Sequence, residues 1–290
     1  MKGGAKLFAY FLAVLLVGAL LAPPLYWGAQ ALVAHGILPF LGHYSFETYF
    51  HRALLICALL FFWPLLRSLR LRSRSELGLR PNAHAGRDAG IGFLLAGIPL
   101  ACAAVGLVMA KVFVLKPELP WSGMATMTAA AAAVPLLEEL FFRGLLLGVL
   151  LRDLRPFTAG LVSAAFFAIL HFLKAPKSTN PLVTWASGFN SIAHSFAQFC
   201  DPIMLLAGFS TLFLLGCILA HARQRTASLW LPIGLHSGWI FVSGIFGKMT
   251  FRQMLILPWL GTSLVVGLIP LALALLTWAL LFWWLTSERR

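Results

Sequence analysis

Two adjacent glutamates, Glu138 and Glu139, and an arginine four residues on, Arg143, stand inside an apolar stretch running from residue 124 to 151. An acidic side chain at the centre of a membrane helix costs roughly 2.5–3.5 kcal/mol on insertion scales, so packing alone does not account for two side by side. Helical spacing separates their roles. Glu139 and Arg143 stack on one face and form an ion pair that offsets the desolvation of both. Glu138 points about 100° away. Left outside that pair in a low-dielectric setting, it is the carboxylate suited to general-base work. Pro135 removes a backbone hydrogen bond and is expected to open the helix there to water or substrate.

Two histidines belong to neighbouring apolar stretches. His171 ends the run Phe167-Ala-Ile-Leu-His171, and His236 lies in Pro232-Ile-Gly-Leu-His236-Ser-Gly238. Glycines at 234 and 238 let another helix approach the backbone around His236 closely. At about 1.5 Å per helical residue, Glu138, His171 and His236 lie roughly 21, 24 and 17 Å from the basic residues Arg152, Arg155 and Arg225 that mark the same membrane face. A carboxylate and two imidazoles at one depth point to a water-activating site.

These residues resemble the CPBP intramembrane proteases, also called the Abi or CAAX-protease family, which includes the type II CAAX prenyl proteases. The family's motifs EExxxR, FxxxH and Hxxx(N/D) correspond here to Glu138-Glu139-Leu-Phe-Phe-Arg143, to Phe167 through His171, and to His236 through Ile240. The third motif departs, because Ile240 has no polar atom where the family carries Asn or Asp. The resemblance covers roughly residues 124–250. It implies that Glu138 activates water with help from His171, that His236 stabilises the oxyanion, and that Glu139, Arg143 and Phe167 support the site. Loss of one oxyanion donor typically costs 10²–10³ in rate, and Trp239, Ser237 and Ser243 are the nearby groups able to replace it. No cofactor is the favoured reading. Zinc is the alternative, held by Glu138, His171 and His236 with one position open for water. The chain has no HExxH pattern of the kind that places a zinc site on one helix.

The elements that must carry these groups follow from composition. Of 290 residues, 60% are hydrophobic and 11% charged, against roughly a quarter charged in a soluble domain. Disorder, a disulfide-rich mini-protein and an ordinary soluble enzyme are excluded. Hydropathy divides the chain into eight expected spans, at 7–29, 48–66, 89–110, 124–151, 157–173, 202–221, 227–247 and 257–285, long enough to cross a bilayer. Leu182, Trp185, Phe189, Ile192, Phe196 and Phe199 recur at helical spacing opposite Ser187, Asn190, Ser191, His194 and Gln198, which predicts an amphipathic helix in the interface. The fold class expected is an all-α polytopic membrane bundle of about eight spans with that one interfacial helix. Its divisions are 1–123 for the N-terminal spans and a basic loop, 124–250 for the catalytic core, and 251–290 for a C-terminal span.

The net charge of +13 reads as topology and not as nucleic-acid binding, because the basic residues sit between apolar runs. With the N-terminus cytoplasmic, the inside segments hold Lys2, Lys6, six arginines from Arg67 to Arg87, Arg152, Arg155, Arg223, Arg225, Arg289 and Arg290. The outside segments hold half as many: Arg52, Lys111, Lys116, Lys174, Lys177, Lys248 and Arg252. Both termini are therefore expected in the cytoplasm, and the run from Leu7 to Ala22 as a retained first span in a bacterial inner membrane. Cys57, Cys102, Cys200 and Cys217 form no CxxC or Cys/His cluster and read as small apolar residues. The expected partners are the lipid bilayer and a membrane-anchored protein or peptide substrate, cut near its C-terminus. A proton-coupled transporter is the rival from another class, since Glu and His in spans also build proton relays. A non-catalytic scaffold or bacteriocin-immunity protein is a third reading, to which Ile240 lends weight.

Overall fold

The structure, a computed structural model, describes residues 3–69, 77–79, 82–172, 182–202, 205–254, 258–261, 264 and 266–287. In chain order its helices are α1 (Gly3–Ala34), α2 (Phe46–Leu69), α3 (Ala85–Met109), α4 (Trp121–Glu139), α5 (Leu147–Asp153), α6 (Pro156–Phe172), α7 (Ser187–Phe196), α8 (Ser210–Thr226), α9 (Trp230–Met249) and α10 (Leu268–Ser287). A π-helical turn, Leu140–Leu146, joins α4 to α5, and another, Leu205–Phe209, precedes α8. Each apolar stretch expected from the sequence overlaps one of these helices, or the continuous run from α4 to α5. Among the described residues, five helical segments are long and apolar enough to cross a membrane: Gly3–Ala34, Phe46–Leu69, Ala85–Met109, Leu205–Thr226 and Leu268–Ser287. The chain is an all-α integral membrane protein. Leu12, Leu16 and Leu20 on α1, or Leu94, Ile98 and Val105 on α3, are exposed at no cost where the surrounding solvent is lipid. Of the basic residues that set the orientation, Lys2, Arg70, Arg72, Arg74, Arg80, Lys174, Lys177, Arg289 and Arg290 lie outside the described residues.

Three local features differ from the sequence expectation. The last helix begins at Leu268, not near 257, because the chain turns at Pro258 and Trp259, whose carbonyls accept from the Leu268 and Ile269 N–H groups. The Gly267 N–H reaches Ala207 O and its φ of 131° is a conformation open to glycine. Residues Phe113–Leu115 (β1) and Thr250–Arg252 (β2) pair as antiparallel strands with Val114 opposite Phe251. These strands continue the chain beyond α3 and α9, where backbone groups leaving a helix need partners. The amphipathic segment forms an α-helix over Ser187–Phe196, tightened to a 3-10 turn over Ala197–Cys200 that holds Phe199, and Leu182 and Trp185 precede it.

The chain divides into two compact units. The first comprises residues 1–71 and 173–201. In it α1 packs along α2 around Ala19, Ala22, Phe46, Phe50 and Ala53, and Gly18 meets Leu54. Helix α7 turns Gly188, Ser191 and Ser195 inward and leaves Phe189 and Phe196 exposed. The small residues, not the aromatic ones, thus make its protein contact. At Gly188 an added Cβ would stand 2.0 Å from Ala19 O.

The second unit, residues 72–172 and 202–290, holds α3 to α6 and α8 to α10. Helices α3 and α9 run parallel in near backbone contact. A Cβ on Gly92 would meet Leu231 O at 2.5 Å, one on Gly234 would meet Ala89 O at 2.0 Å, and one on Gly238 would meet Phe93 O at 2.6 Å. The close approach expected around His236 is therefore present, with α3 as the partner. Gly216 of α8 meets Ala164 of α6, and Gly244 of α9 meets Met127 of α4. We expect Gly234→Ala to force α3 and α9 apart and to destabilise the protein by about 1–3 kcal/mol. Gly247→Ala, where nothing stands within 4 Å, is expected to be nearly neutral. Thermal melts of both variants in detergent check the pair.

Candidate active site

Helix α4 delivers both glutamates at its C-terminal end. It passes through Pro135 without breaking, and Pro135 is buried. The irregularity follows the glutamates instead of preceding them: the π turn places the Leu147 N–H on Phe142 O, five residues back. Glu139, the last residue of α4, and Arg143, within the π turn, are fully buried. Arg143 Nη1 donates to Glu139 Oε1 at 2.8 Å, and Nη2 to Gly216 O of α8 at 3.3 Å. The guanidinium also lies over the Phe167 ring, 4.4 Å from its centre, a favourable placement for a desolvated cation.

Both histidines are fixed through Nδ1. His171 Nδ1 is 2.8 Å from Phe167 O. A carbonyl only accepts, so Nδ1 carries the proton and Nε2 faces the site. His236 Nδ1 is 2.9 Å from Glu139 Oε1, the same oxygen that accepts from Arg143. A carboxylate paired with a guanidinium is ionised, so His236 donates there and also presents Nε2. Both Nε2 atoms converge on Glu138 Oε2, at 3.1 Å from His171 and 3.8 Å from His236. The shorter contact requires one proton between its two partners. Two carboxylates, one guanidinium and that proton sum formally to zero, which removes most of the electrostatic objection to a membrane location.

Access is graded across this cluster. The Glu138 and His171 side chains are 27% and 30% exposed, against 8% for His236 and none for Glu139. The carboxylate outside the ion pair is therefore the one that faces an opening, as its 100° offset from Glu139 predicts. Every candidate residue read from the sequence is found in this one cluster: Glu138, Glu139 and Arg143 at the α4 junction, Phe167 and His171 on α6, and His236 on α9. The Gly216 carbonyl was not legible, because a backbone acceptor leaves no signature in its own side chain. The aromatic shelf of Phe142 and Phe167, whose centres are 5.2 Å apart, was foreshadowed only by the Phe of the second motif.

Ile240, one turn beyond His236, is half-buried on α9. Among the groups able to replace its missing polar atom, the Ser243 hydroxyl donates to Trp239 O at 2.6 Å and is spent on its own helix.

One carboxylate and two imidazole nitrogens are chemically acceptable to zinc, and the Nδ1 partners Phe167 O and Glu139 are the kind that orient metal-bound histidines. Yet no three or more His, Cys, Asp or Glu side chains are disposed to hold a metal ion among the described residues. The 3.1 Å contact joins Glu138 directly to His171.

We expect Arg143→Met to cost about 3–5 kcal/mol, since it leaves a buried carboxylate without its counter-charge. Combining it with Glu139→Gln is expected to recover much of that loss, and a double-mutant cycle in detergent measures the coupling.

Comparison with curated proteins and with solved structures finds no match. Residues 120–242, however, match the family model described as type II CAAX prenyl endopeptidase Rce1-like. The matched segment contains each of the six site residues, and the family points to a protease. That matched segment supports an assignment to the CAAX protease, or CPBP, family.

Proposed function

We propose that this protein is an intramembrane endopeptidase that hydrolyses a peptide bond near the C-terminus of a membrane-anchored protein. The observation that carries the proposal is the convergence of two imidazole Nε2 atoms on one oxygen of a carboxylate that is part-open to its surroundings. Residues 124–250 form its catalytic core, in a bacterial inner membrane with both termini cytoplasmic.

In the proposed mechanism, water held between Glu138 and His171 gives a proton to the Glu138 carboxylate as its oxygen attacks the scissile carbonyl carbon. His236 polarises that carbonyl. Its Nδ1–H is committed to Glu139, so Nε2 donates only as imidazolium, whose charge is balanced by the oxyanion it binds. Collapse of the tetrahedral intermediate returns the proton to the leaving amide nitrogen. Every step uses groups of the chain itself; zinc on Glu138, His171 and His236 remains the competing chemistry, with the metal in place of the shared proton.

Ile240 favours a second reading, a site that has lost catalytic power and serves as a scaffold. The two readings part on a direct assay. Purified protein incubated with a membrane-anchored reporter carrying a C-terminal tail is expected to release a C-terminal peptide. Glu138→Gln and His171→Asn are expected to lower that rate by about 10²–10⁴-fold without changing the melting temperature. Ile240→Asn, by restoring a donor, is expected to raise the rate by as much as about 10²-fold. Retention of full cleavage by Glu138→Gln contradicts the mechanism, and absence of cleavage by both the native protein and Ile240→Asn favours the scaffold. Treatment with a strong chelator is expected to leave the rate unchanged, and loss of activity restored by zinc assigns the metal chemistry instead.

A further inference from the structure

Away from the glutamate site, two grooves meet at one histidine near the ends of α8 and α10. The first, of about 370 Å³, is walled by Phe157 and Leu161 of α6, Cys217 of α8 and Trp278 of α10. The second, of about 430 Å³, is walled by Phe282 and Leu285 of α10 and edged by Arg225. His221 lines both. Its Nε2 is buried and has no hydrogen-bond partner among the described residues, an arrangement that costs free energy unless something else supplies an acceptor. One helical turn on, and so on the same face, Arg225 is exposed and makes no ion pair among the described residues. Gln224 does not offer itself, because its amide donates to Pro156 O at 2.8 Å. No acidic side chain lines either groove.

We propose that these grooves bind an anionic phospholipid, its phosphate held by the Arg225 guanidinium and the His221 Nε2–H and its two acyl chains laid along the two apolar walls. Two cationic or N–H donors and no carboxylate among the lining residues ask for an anion. A zwitterionic headgroup brings a cation for which the grooves provide no carboxylate, and a free phosphate leaves the Trp278 and Phe282 walls uncovered. Basic grooves between membrane helices are where anionic headgroups bind. The site is separate from the proteolytic cluster but close to it along the chain: Cys217 on the first groove follows Gly216, whose carbonyl holds Arg143.

The test is native mass spectrometry of the purified full-length protein in micelles containing equal amounts of phosphatidylglycerol and phosphatidylcholine. The native protein is expected to retain phosphatidylglycerol in preference. Arg225→Gln and His221→Leu, each at a position the fold does not depend on for an internal hydrogen bond, are each expected to reduce that preference about fivefold. Arg252→Gln, at the far end of α9, is expected to leave it intact. Equal retention of the two lipids, or an undiminished preference in either groove variant, overturns the proposal. Displacement of the lipid by millimolar inorganic phosphate also overturns it, by assigning a small-anion site in place of a lipid site.

Discussion

A carboxylate and a guanidinium sealed from every solvent, Glu139 and Arg143, hold the centre of the second unit together. Neither tolerates burial in an apolar surrounding alone, so each element that touches the pair is tied to the others by the cost of letting go. Arg143 binds the α4 junction to α8 through the Gly216 carbonyl and to α6 through the face of Phe167. Glu139 binds the same junction to α9 through His236. The π turn that follows Glu139 and carries Arg143 supplies the local backbone geometry at a point where the helix must serve three neighbours at once. Active groups then inherit their positions from this anchor. Glu138 is placed by being next to Glu139 and out of its plane, His236 by its bond to Glu139, and His171 by the carbonyl of the same Phe167 that carries the guanidinium.

Such an arrangement divides labour between two chemically identical side chains. Burial and two donors make Glu139 a fixed ionised acceptor. Partial exposure and two imidazole Nε2 neighbours give Glu138 the position that the proposed mechanism requires of its proton acceptor. The near-neutral total allows polar chemistry to reside among lipids, and the glycine contacts of α9 with α3 let His236 be delivered by a helix whose backbone, not its side chains, meets its neighbour.

Much of this was legible from the residues alone, for physical reasons. A bilayer demands long apolar runs, so the helices announce themselves in hydropathy, and the cost of buried charge makes Glu138, Glu139 and Arg143 conspicuous. Spacing of four residues predicted the Glu139–Arg143 pair, and Gly234 and Gly238 predicted a close neighbour, though not that it would be α3. What escaped was encoded in backbone more than in side chains: the π turn at 140–146, the Gly216 acceptor, and the three-residue strands at 113–115 and 250–252. Helix α7 was legible as an amphipathic interfacial helix. What was not legible is that Gly188, Ser191 and Ser195 make its protein contact while Phe189 and Phe196 stay exposed, because in lipid the small residues gain most from contact and aromatic ones lose nothing by facing outward.

Whether the cluster around Glu138 hydrolyses peptide bonds in its own membrane is measured most directly by mapping, by mass spectrometry, the C-terminal peptides of all membrane proteins. The comparison is between cells producing the native protein and cells producing Glu138→Ala at the same level. A set of shortened C-termini present only with the native protein is the predicted result. Identical C-termini in the two membranes, with both proteins folded and equally abundant, would contradict it.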